Sequence, residues 1–302
     1  MRIICSFTAL ILVGLSFFAG AQVSDDARVL LYPKSSDDWR AAYPVDMLSR
    51  ALALSGTNYQ LRAGAEDVPK ARNFLNLSTN HGVDVVWSMT SVERETEHLA
   101  IKIPLNRGLM GYRVALVRRA EPDILAGVSN LEQLKQFTAG QMYVWSDTKI
   151  LTSQGLVVVP GSNYDTLFRM LVAGRFDFFP RSVTEVSQEL ALHAAMGISL
   201  DQHLLIRYPA AMYFFVNKQD TKLAADIERG LEMLLTSGEF MQRFDRYYGD
   251  VIRELHLESR TPIDLNNPYL PEDTPLCRRE LWWADLCPVK APKFLYDQSE
   301  LE

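Results

Sequence analysis

The fold is decided by the stretch VDVVWSMTSVER at residues 83–94. It begins as an apolar, β-branched run that is too short for a helix and is typical of a buried strand. It then becomes polar, with the hydroxyls of Thr90 and Ser91 ahead of the guanidinium of Arg94. Such a strand end can hold a carboxylate, because arginine donates two parallel hydrogen bonds and hydroxyl groups satisfy the remaining lone pairs. The alternative is an arginine in a surface ion pair.

The first 21 residues have the pattern of a cleavable secretory signal. Arg2 provides the positive start, residues 3–18 the apolar run, and residues 19–21 the small-residue cleavage site. The alternative is a membrane anchor, but the run is short for a transmembrane span. We therefore expect a periplasmic mature chain. Cys5 lies too early to be a lipidated residue, so no lipid anchor is expected.

Export changes how the remaining cysteines are interpreted. Cys5 leaves with the signal, and Cys277 and Cys287 then flank a short loop that contains Trp282 and Trp283. An oxidising compartment favours a disulfide between Cys277 and Cys287. The alternative is two free buried thiols, since their separation in space does not follow from the sequence.

The composition is that of a soluble globular protein. The 302 residues are 48% hydrophobic and carry a formal net charge of -6 at pH 7. An acidic balance argues against nucleic acid as a partner, because binding to phosphates depends on positive charge. The mature chain is long enough for two lobes of ordinary domain size.

Strand and helix patterns alternate along the chain in two series. The first series has strands at 28–33, 59–61 and 83–87 and helices at 44–54 and 71–77. It predicts a parallel sheet with right-handed crossovers. A strand at 111–117 leads out to the second series, which has helices at 131–137, 162–173 and 182–196 and strands at 141–145, 155–159 and 176–180. Ser162 and Asp165 form a capping-box pattern, and Pro180 is expected to end its strand.

A strand at 211–216 leads back, and an amphipathic helical pattern with a break at Gly238 follows it. The tail from Thr261 is rich in Pro and Asn and is expected to wrap the surface. Two series joined in this way predict two lobes with a ligand cleft between them. The expected division is a signal at 1–21, lobe 1 at 22–115 and again at 213–260, lobe 2 at 116–212, and the tail at 261–302.

These patterns resemble the periplasmic solute-binding proteins of family 3, the amino-acid-binding type, and in particular an uncharacterised periplasmic branch of that family. Residues 84–94 are similar to the segment in which Thr, Ser and Arg hold the ligand's α-carboxylate. Gly174-Arg175-Phe176-Asp177 is similar to the family's Gly-Arg-x-Asp step, and residues 223–249 to its paired helices. The resemblance implies an α/β, two-lobed periplasmic-binding-protein-like fold of type II, with an interlobe cleft and two crossover strands.

The resemblance also implies ligand contacts in lobe 1. Arg94, Thr90 and Ser91 would hold a carboxylate, although Thr90 and Ser91 could instead cap a following turn. Trp87 would form the floor of the pocket, and its alternative is a core tryptophan. Before the lead-out strand the family usually has Ser-x-Pro-Tyr, whereas residues 103–107 here read Ile-Pro-Leu-Asn-Arg. This departure argues against the usual amino-acid specificity.

In lobe 2 the resemblance places a ligand loop at Trp145-Ser146-Asp147-Thr148. Asp147 would bind an ammonium group and Thr148 a carboxylate or hydroxyl, and the alternative is a helix N-cap at Asp147 or Ser146. Arg181 would face the cleft or form a salt bridge. Glu185 follows Ser182 by three residues, which a capping box explains. Weaker cleft candidates are Tyr32, Trp39, Arg107 and Arg113.

The sequence contains no catalytic or metal-binding motif. It lacks His-Glu-x-x-His, Cys-x-x-Cys, Gly-x-Ser-x-Gly and a glycine-rich phosphate loop. We therefore expect no catalytic residue, no metal and no cofactor.

The expected function is hinge-closing binding of a small polar, carboxylate-bearing, amino-acid-like solute. We expect a monomer that serves uptake or sensing, with an ABC-type membrane permease or a sensor as its partner. One alternative is a periplasmic enzyme on the same fold, such as an amino-acid dehydratase-like protein, and Glu185 or His193 close to Arg94 would favour it. Another is a regulatory or scaffold protein whose cleft is filled by its own tail.

Overall fold

A computed structural model describes residues 27–34 and 38–287. The expected signal at 1–21 lies outside the described residues. The described chain begins with β1 (Arg28–Tyr32), α1 (Asp38–Leu54), β2 (Tyr59–Ala63), α2 (Lys70–Ser78), β3 (Val85–Met89), α3 (Val92–Glu97) and β4 (Leu99–Ile101). The middle of the chain forms β5 (Tyr112–Arg118), α4 (Leu131–Leu134), β6 (Thr138–Met142), α5 (Ser146–Ser153), β7 (Val157–Gly161), α6 (Tyr164–Val172), β8 (Phe179–Ser182), α7 (Val186–Leu192), β9 (Ile198–Leu200) and β10 (Leu204–Arg207). The last part forms β11 (Met212–Val216), α8 (Thr221–Ser237), α9 (Glu239–Glu254) and β12 (Thr261–Asp264).

Lobe 1 is built from β1–β4, β11 and the helices α1, α2 and α8. The strands β3, β11 and β4 form a sheet with β11 in the middle, antiparallel to both neighbours, while β1 and β2 pair in parallel. Every residue of β11 is buried, as expected for a central strand of apolar residues. The core of lobe 1 lies between this sheet and the packed pair α1 and α8.

The structure differs from the predicted three-stranded parallel sheet at β3. The ladder of β3 runs antiparallel to β11 instead of parallel to β1. Next to β3, Asp84 N donates to Leu31 O at 2.7 Å, and the Asp84 carboxylate accepts from Leu31 N at 2.7 Å. The carboxylate thus occupies the place where a ladder carbonyl would continue the pairing with β1.

Lobe 2 is built around a sheet with the strand order β12-β10-β5-β8, to which β9 adds by pairing with β5. Apolar cores lie on both faces of this sheet. Pro180 lies inside β8 and does not end the strand, because β8 is at the edge of the ladder, where a missing N–H is tolerated. The capping box at Ser162 and Asp165 is also wrong, since α6 is capped by Asn163, whose side chain accepts from Thr166 N at 3.1 Å.

Two segments connect the lobes, as the resemblance implied. Residues 102–111 lead from β4 to β5, and residues 208–211 lead from β10 back to β11. The helix α9 adds another link, because Phe240 packs in the lobe 1 core and Phe244 in a lobe 2 core. The segment 213–260 therefore does not return to lobe 1 alone.

The described part of the tail, residues 261–287, packs into the fold instead of only wrapping its surface. The rest of the expected tail, 288–302, lies outside the described residues. The strand β12 pairs in parallel with β10 and so belongs to the lobe 2 sheet. Further along, Trp282 is 1% exposed in the lobe 1 core. Its ring lies so close to Gly108, which has φ +80°, that a Cβ added there would be 2.7 Å from the ring. Cys277 and Cys287 form a disulfide that closes the loop carrying this tryptophan.

The backbone of the first connecting segment is bonded to the same loop. Trp283 N donates to Arg107 O at 2.8 Å, and Arg107 Nη2 donates to Trp282 O at 2.8 Å. The tail thus joins lobe 2 through β12 and lobe 1 through Trp282. No helix in residues 27–34 and 38–287 is long and apolar enough to cross a bilayer.

We expect Trp282→Ala to lower the free energy of unfolding by about 3–5 kcal/mol, because a large aromatic leaves a cavity in a close-packed core. Trp283→Ala is the matched control, since Trp283 is 39% exposed. Urea denaturation of the oxidised proteins measures both losses. Equal losses in the two variants would show that Trp282 does not anchor the tail.

Candidate functional site

A cavity of about 720 Å³ opens between the two lobes. Lobe 1 contributes the first turns of α1 and α2, the end of β3, α3 and the segment that leaves for lobe 2. Lobe 2 contributes β5, the start of α5, α6, β8 and the loop before α7. The volume lies within the range of roughly 300–1,000 Å³ that is usual for small-molecule sites.

The walls of the cavity carry more positive than negative side chains, although the whole chain is acidic. The basic residues are Lys34, Arg40, Lys70, Arg94, Arg113 and Arg181, and the acidic residues are Asp67, Asp147 and Glu185. A cleft lined mainly by one sign of charge raises the local concentration of the opposite ion. The cavity is therefore suited to an anion.

Arg94 reaches the cavity from α3, close to the end of β3. Its Nη1 donates to Met89 O at 2.6 Å and, across the cleft, to Ser146 Oγ at 3.2 Å. No carboxylate lies within salt-bridge distance of Arg94 among the described residues. Burial lowers the pKa of Arg94, and the negative charges of Glu93 and Asp147 only partly offset this effect. The guanidinium is thus a partly desolvated cation without a counter-ion.

Lys70 is a second cation of this kind, at the first position of α2. The described part of the chain provides it with no hydrogen bond and no ion pair. The side chain keeps a large exposed surface, but surrounding protein atoms partly desolvate it, which lowers its pKa, and the positive charge of Arg94 lowers it further. The helix dipole adds partial positive charge at the α2 N-terminus. No acidic residue in the first turn of α2 offsets this charge.

Arg113 and Asp147 form an ion pair on the lobe 2 wall. Arg113 Nη2 and the Tyr208 hydroxyl both donate to Asp147 Oδ1, and Arg113 Nε donates to the Tyr208 oxygen at 3.0 Å. Burial lowers the pKa of Arg113, but the negative charge of Asp147, together with Tyr208 and Glu185, leaves it raised overall. The carboxylate predicted to bind an ammonium group is therefore already paired with a guanidinium.

Arg181 also has its own counter-ions. The side chain is buried, and it binds Glu189 through Nε at 2.7 Å and through Nη2 at 2.6 Å, while Nη2 reaches Glu185 at 3.1 Å. Burial alone would raise the pKa of Glu189, but Arg181 lowers it below its usual value. The salt-bridge alternative thus describes Arg181, with the Trp145 ring centroid 4.6 Å from the guanidinium carbon.

The two carboxylates that bind Arg181, those of Glu185 and Glu189, also contact an arginine from lobe 1. Arg40 Nη2 donates to the Tyr164 oxygen at 2.8 Å and to Glu189 at 3.1 Å, and its Nε lies 3.6 Å from Glu185. Together with the bond from Arg94 to Ser146, this contact bridges the two walls of the cleft.

Several predicted site residues have structural roles instead. Thr90 Oγ1 donates to Glu95 at 2.6 Å, and Ser91 caps α3 by accepting from Arg94 N at 3.3 Å. Neither lines the cavity. Thr148 Oγ1 donates to Met142 O at 2.6 Å and also lies outside the cavity wall. The structure thus brings together Trp87, Arg94, Trp145, Asp147 and Arg181, but not Thr90, Ser91 or Thr148.

Two further expectations need correction. The capping box from Ser182 to Glu185 is wrong, since Ser182 Oγ bonds Thr184 and the Glu185 carboxylate faces Arg181 in the cavity. The N-cap alternative at Ser146 or Asp147 is wrong as well, because α5 begins after Trp145 with no side-chain cap.

Of the four weaker cleft candidates, two line the cavity and two do not. Trp39 and Arg113 line the cavity, whereas Tyr32 does not and lies with its ring 6.2 Å from that of Trp87. Arg107 is bound to the tail instead.

Sequence reasoning missed Lys70, Arg40, Glu189 and Asn106. For Lys70 a signal was present, because a lysine in the first turn of a helix is unfavourable next to the positive end of the helix dipole. A lysine at this position therefore indicates a role other than stabilising the helix. Arg40 carries no local signal, since its partners Tyr164 and Glu189 lie more than a hundred residues away. Glu189 lies near Arg181 in sequence but in a different element.

The two residues named for the enzyme alternative, Glu185 and His193, have different surroundings. Glu185 lies in the cavity but is held by Arg181 and Arg40. His193 stacks on Phe168 at 3.7 Å between ring centroids and does not line the cavity. In the described residues no group of three or more His, Cys, Asp or Glu could hold a metal ion.

Comparison with known proteins places the fold. An ancestral arginine-binding protein bound to arginine is 15% identical, over 73% of this chain and 98% of that chain, with a TM-score of 0.54. The arginine-, lysine-, histidine-binding protein ArtJ from Geobacillus stearothermophilus is 14% identical, over 76% and 99%, at 0.51. A histidine kinase sensor domain with similarity to periplasmic binding proteins is 16% identical, over 74% and 96%, at 0.52. The chain has the periplasmic-binding-protein fold.

The sequence resemblance is thereby confirmed at the level of the fold. No family model and no curated protein matches the chain. The cavity lies between the two lobes, next to the segments that connect them.

We expect Glu189→Gln to lower the free energy of unfolding by about 3–5 kcal/mol at neutral pH, because Arg181 would lose its buried partner. The folded-state pKa of Glu189 is lowered, so its contribution is present above the unfolded pKa of about 4.3 and is lost as pH falls through the folded pKa. Denaturation at a series of pH values should show wild type and variant converging in acid. A difference in the free energy of unfolding between the two proteins that does not change with pH would contradict the ionised pairing of Glu189 with Arg181.

Glu132→Gln is the control for this experiment. Glu132 forms an exposed pair with Lys135, with 79% of its side chain accessible. Such pairs contribute about 0.2–1 kcal/mol at most, so this variant should denature almost like wild type at every pH.

Proposed function

We propose that the protein binds a small carboxylate-bearing solute between its lobes, outside the cytoplasm, and closes over it for uptake or sensing. The observation that carries the proposal is that the cavity cations Arg94 and Lys70 are partly desolvated and have no counter-ion among the described residues. The other arginines of the wall, Arg40, Arg113 and Arg181, are each matched by a carboxylate.

A bound carboxylate would relieve an unfavourable arrangement of charge. Two like charges in a partly desolvated site repel each other and lose hydration. A carboxylate between them gains two charge-assisted interactions, and arginine can supply parallel hydrogen bonds to both oxygens. The ligand therefore supplies the counter-charge that the chain does not.

Closure is supported by the contacts that already cross the cleft. Arg94 touches both Met89 of lobe 1 and Ser146 of lobe 2, so a ligand on Arg94 would lie against both walls. The Arg40 contacts to Tyr164 and Glu189 favour the closed arrangement from another side. A ligand shifts the equilibrium towards closure only through contacts that it makes in that state.

Proteins with this fold support the same class of function. The neighbours include the substrate-binding protein of an amino acid ABC transporter and the histidine kinase sensor domain. An ABC-type permease or a sensor is accordingly the partner we propose, with an amino-acid-like solute as ligand. None of the tail residues 261–287 lines the cavity, so that part of the tail does not fill it.

A thermal-shift screen of amino acids, organic acids and polyamines tests the proposal. We expect carboxylate compounds to raise the melting temperature with concentration, as any ligand of the native state does. Arg94→Ala should weaken binding tenfold or more, on the order of the 1.5–3 kcal/mol of a hydrogen bond to a charged group. Arg175→Ala is the control, because Arg175 is exposed and lies outside the cavity wall. An undiminished shift in Arg94→Ala would refute the carboxylate role.

Lys70 predicts a separate dependence on pH. Its folded-state pKa is lowered, so the affinity for a carboxylate should begin to fall at a pH below about 10.4, where an ordinary lysine loses its charge. Without ligand, wild type should gain stability relative to Lys70→Met as pH rises through that window, because the unfolded chain then binds more protons. Calorimetric titration and denaturation at several pH values measure the two trends. Identical pH profiles of the two proteins would contradict them.

A further inference from the structure

The side chain of Asn106 is a buried polar group of the cavity wall that lacks hydrogen-bond partners within the described part of the chain. It lies on the segment that leaves lobe 1 and is one of the residues lining the cavity. Asn106 is 0% exposed, and neither its Nδ2 nor its Oδ1 has a hydrogen-bond partner among the described residues. Buried polar groups are almost always paired, because an unpaired group loses its bonds to water without replacement. These two atoms therefore call for a partner from outside the chain.

The backbone around Asn106 holds the amide in place. Leu105 N donates to Met212 O at 2.9 Å, and Leu105 O accepts from the Tyr43 hydroxyl at 2.6 Å. Asn106 O itself accepts from Leu109 N at 3.0 Å. The segment is thus tied to the returning strand β11 and to α1, which places Asn106 on the floor of the cleft where the connecting segments meet.

The chemistry of an amide restricts what can pair with it. The Nδ2 group only donates and Oδ1 only accepts. A ligand carboxylate would satisfy Nδ2 alone, and a ligand ammonium would satisfy Oδ1 alone while adding positive charge to a cavity that already has an excess of it. A carboxamide or ureido group carries an acceptor and a donor side by side and can satisfy both atoms.

We propose that Asn106 determines specificity by pairing with a carboxamide-type group, so that the cleft takes a carboxylate solute bearing an amide in preference to a cationic amino acid. The inference rests on the proposed function, because Arg94 and Lys70 supply the contact to the carboxylate. It goes beyond that function by naming the second group of the ligand and the residue that reads it.

Size-matched probes separate these possibilities. L-glutamine, L-glutamate, L-norvaline and L-ornithine have the same carbon chain and end in a carboxamide, a carboxylate, a methyl and an ammonium group. Their counterparts without the α-amino group are glutaramate, glutarate, valerate and 5-aminovalerate. By calorimetry, we expect wild type to bind the carboxamide of at least one series roughly tenfold or more tightly than its methyl counterpart, and the ammonium compound most weakly.

Asn106→Leu keeps nearly the same volume and removes both polar atoms. This variant should bind the carboxamide and the methyl compound with nearly equal affinity, so that their affinity ratio is close to one. The methyl compound should still bind. Because the amide has no partner in the chain, this variant should fold with unchanged or raised melting temperature. The control is Asn217→Leu, since Asn217 is buried outside the cavity and donates to Leu77 O and Ser78 O. It should melt earlier and keep the wild-type ratio.

Asn106→Asp is a second variant, which keeps the shape and replaces the donor by a charge. It should reverse the preference, so that the ammonium probe binds more tightly than the carboxamide. If carboxylates bind with dependence on Arg94 but neither Asn106 variant changes the ratio, the inference is overturned and the proposed function stands. If no compound of either series binds wild type, the inference is overturned, and the broader thermal-shift screen decides the proposed function separately.

Discussion

The pairing of charges in the cleft is the constraint on which the site depends. The acidic side chains Asp147, Glu185 and Glu189 are taken up by Arg113, Arg181 and Arg40. Three cations of the wall, Arg94, Lys70 and Lys34, have no counter-ion in the described residues. Partly desolvated charge is costly unless it is paired, so an anionic ligand at Arg94 and Lys70 would relieve this excess.

The cleft in turn depends on how the lobes are connected. The two expected segments join them, but α9 and the tail also contact both. The tail enters the lobe 2 sheet through β12 and the lobe 1 core through Trp282, whose ring lies against Gly108 on the first connecting segment. Because the tail contacts both lobes, the proposed closure would also have to accommodate the tail and its disulfide-closed loop.

Much of the fold could be predicted because its signals are local. Apolar runs gave β3, β5 and β11 within a few residues, and the helical spacing around Gly238 gave α8 and α9. The strand β12 was missed, because Thr261–Asp264 is a short, proline-containing segment whose pairing with β10 is a tertiary event. Likewise the sequence predicts a strand end at Pro180, whereas Pro180 lies inside β8, at the edge of its ladder, where a missing N–H is tolerated.

The site was less predictable for a physical reason. Arg94 was recognised because its segment combines a strand, hydroxyls and a guanidinium within a few residues. Whether an arginine is free or paired can depend on residues far away in sequence, as with Arg40 and Glu189. No spacing rule indicated that Asp147 would be held by Arg113. The uncompensated charge of Arg94 follows only from the structure, which gives the carboxylate partners of Arg40, Arg113 and Arg181.

The most direct test is a crystal structure of the mature protein with the carboxylate compound that gives the largest thermal shift. We expect the ligand's carboxylate between the lobes, within hydrogen-bond distance of the Arg94 guanidinium and near the Lys70 ammonium, with both lobes in contact with it. A ligand bound outside the cleft, or one whose cationic group faces Arg94 and Lys70, would contradict the role of these residues as the carboxylate site.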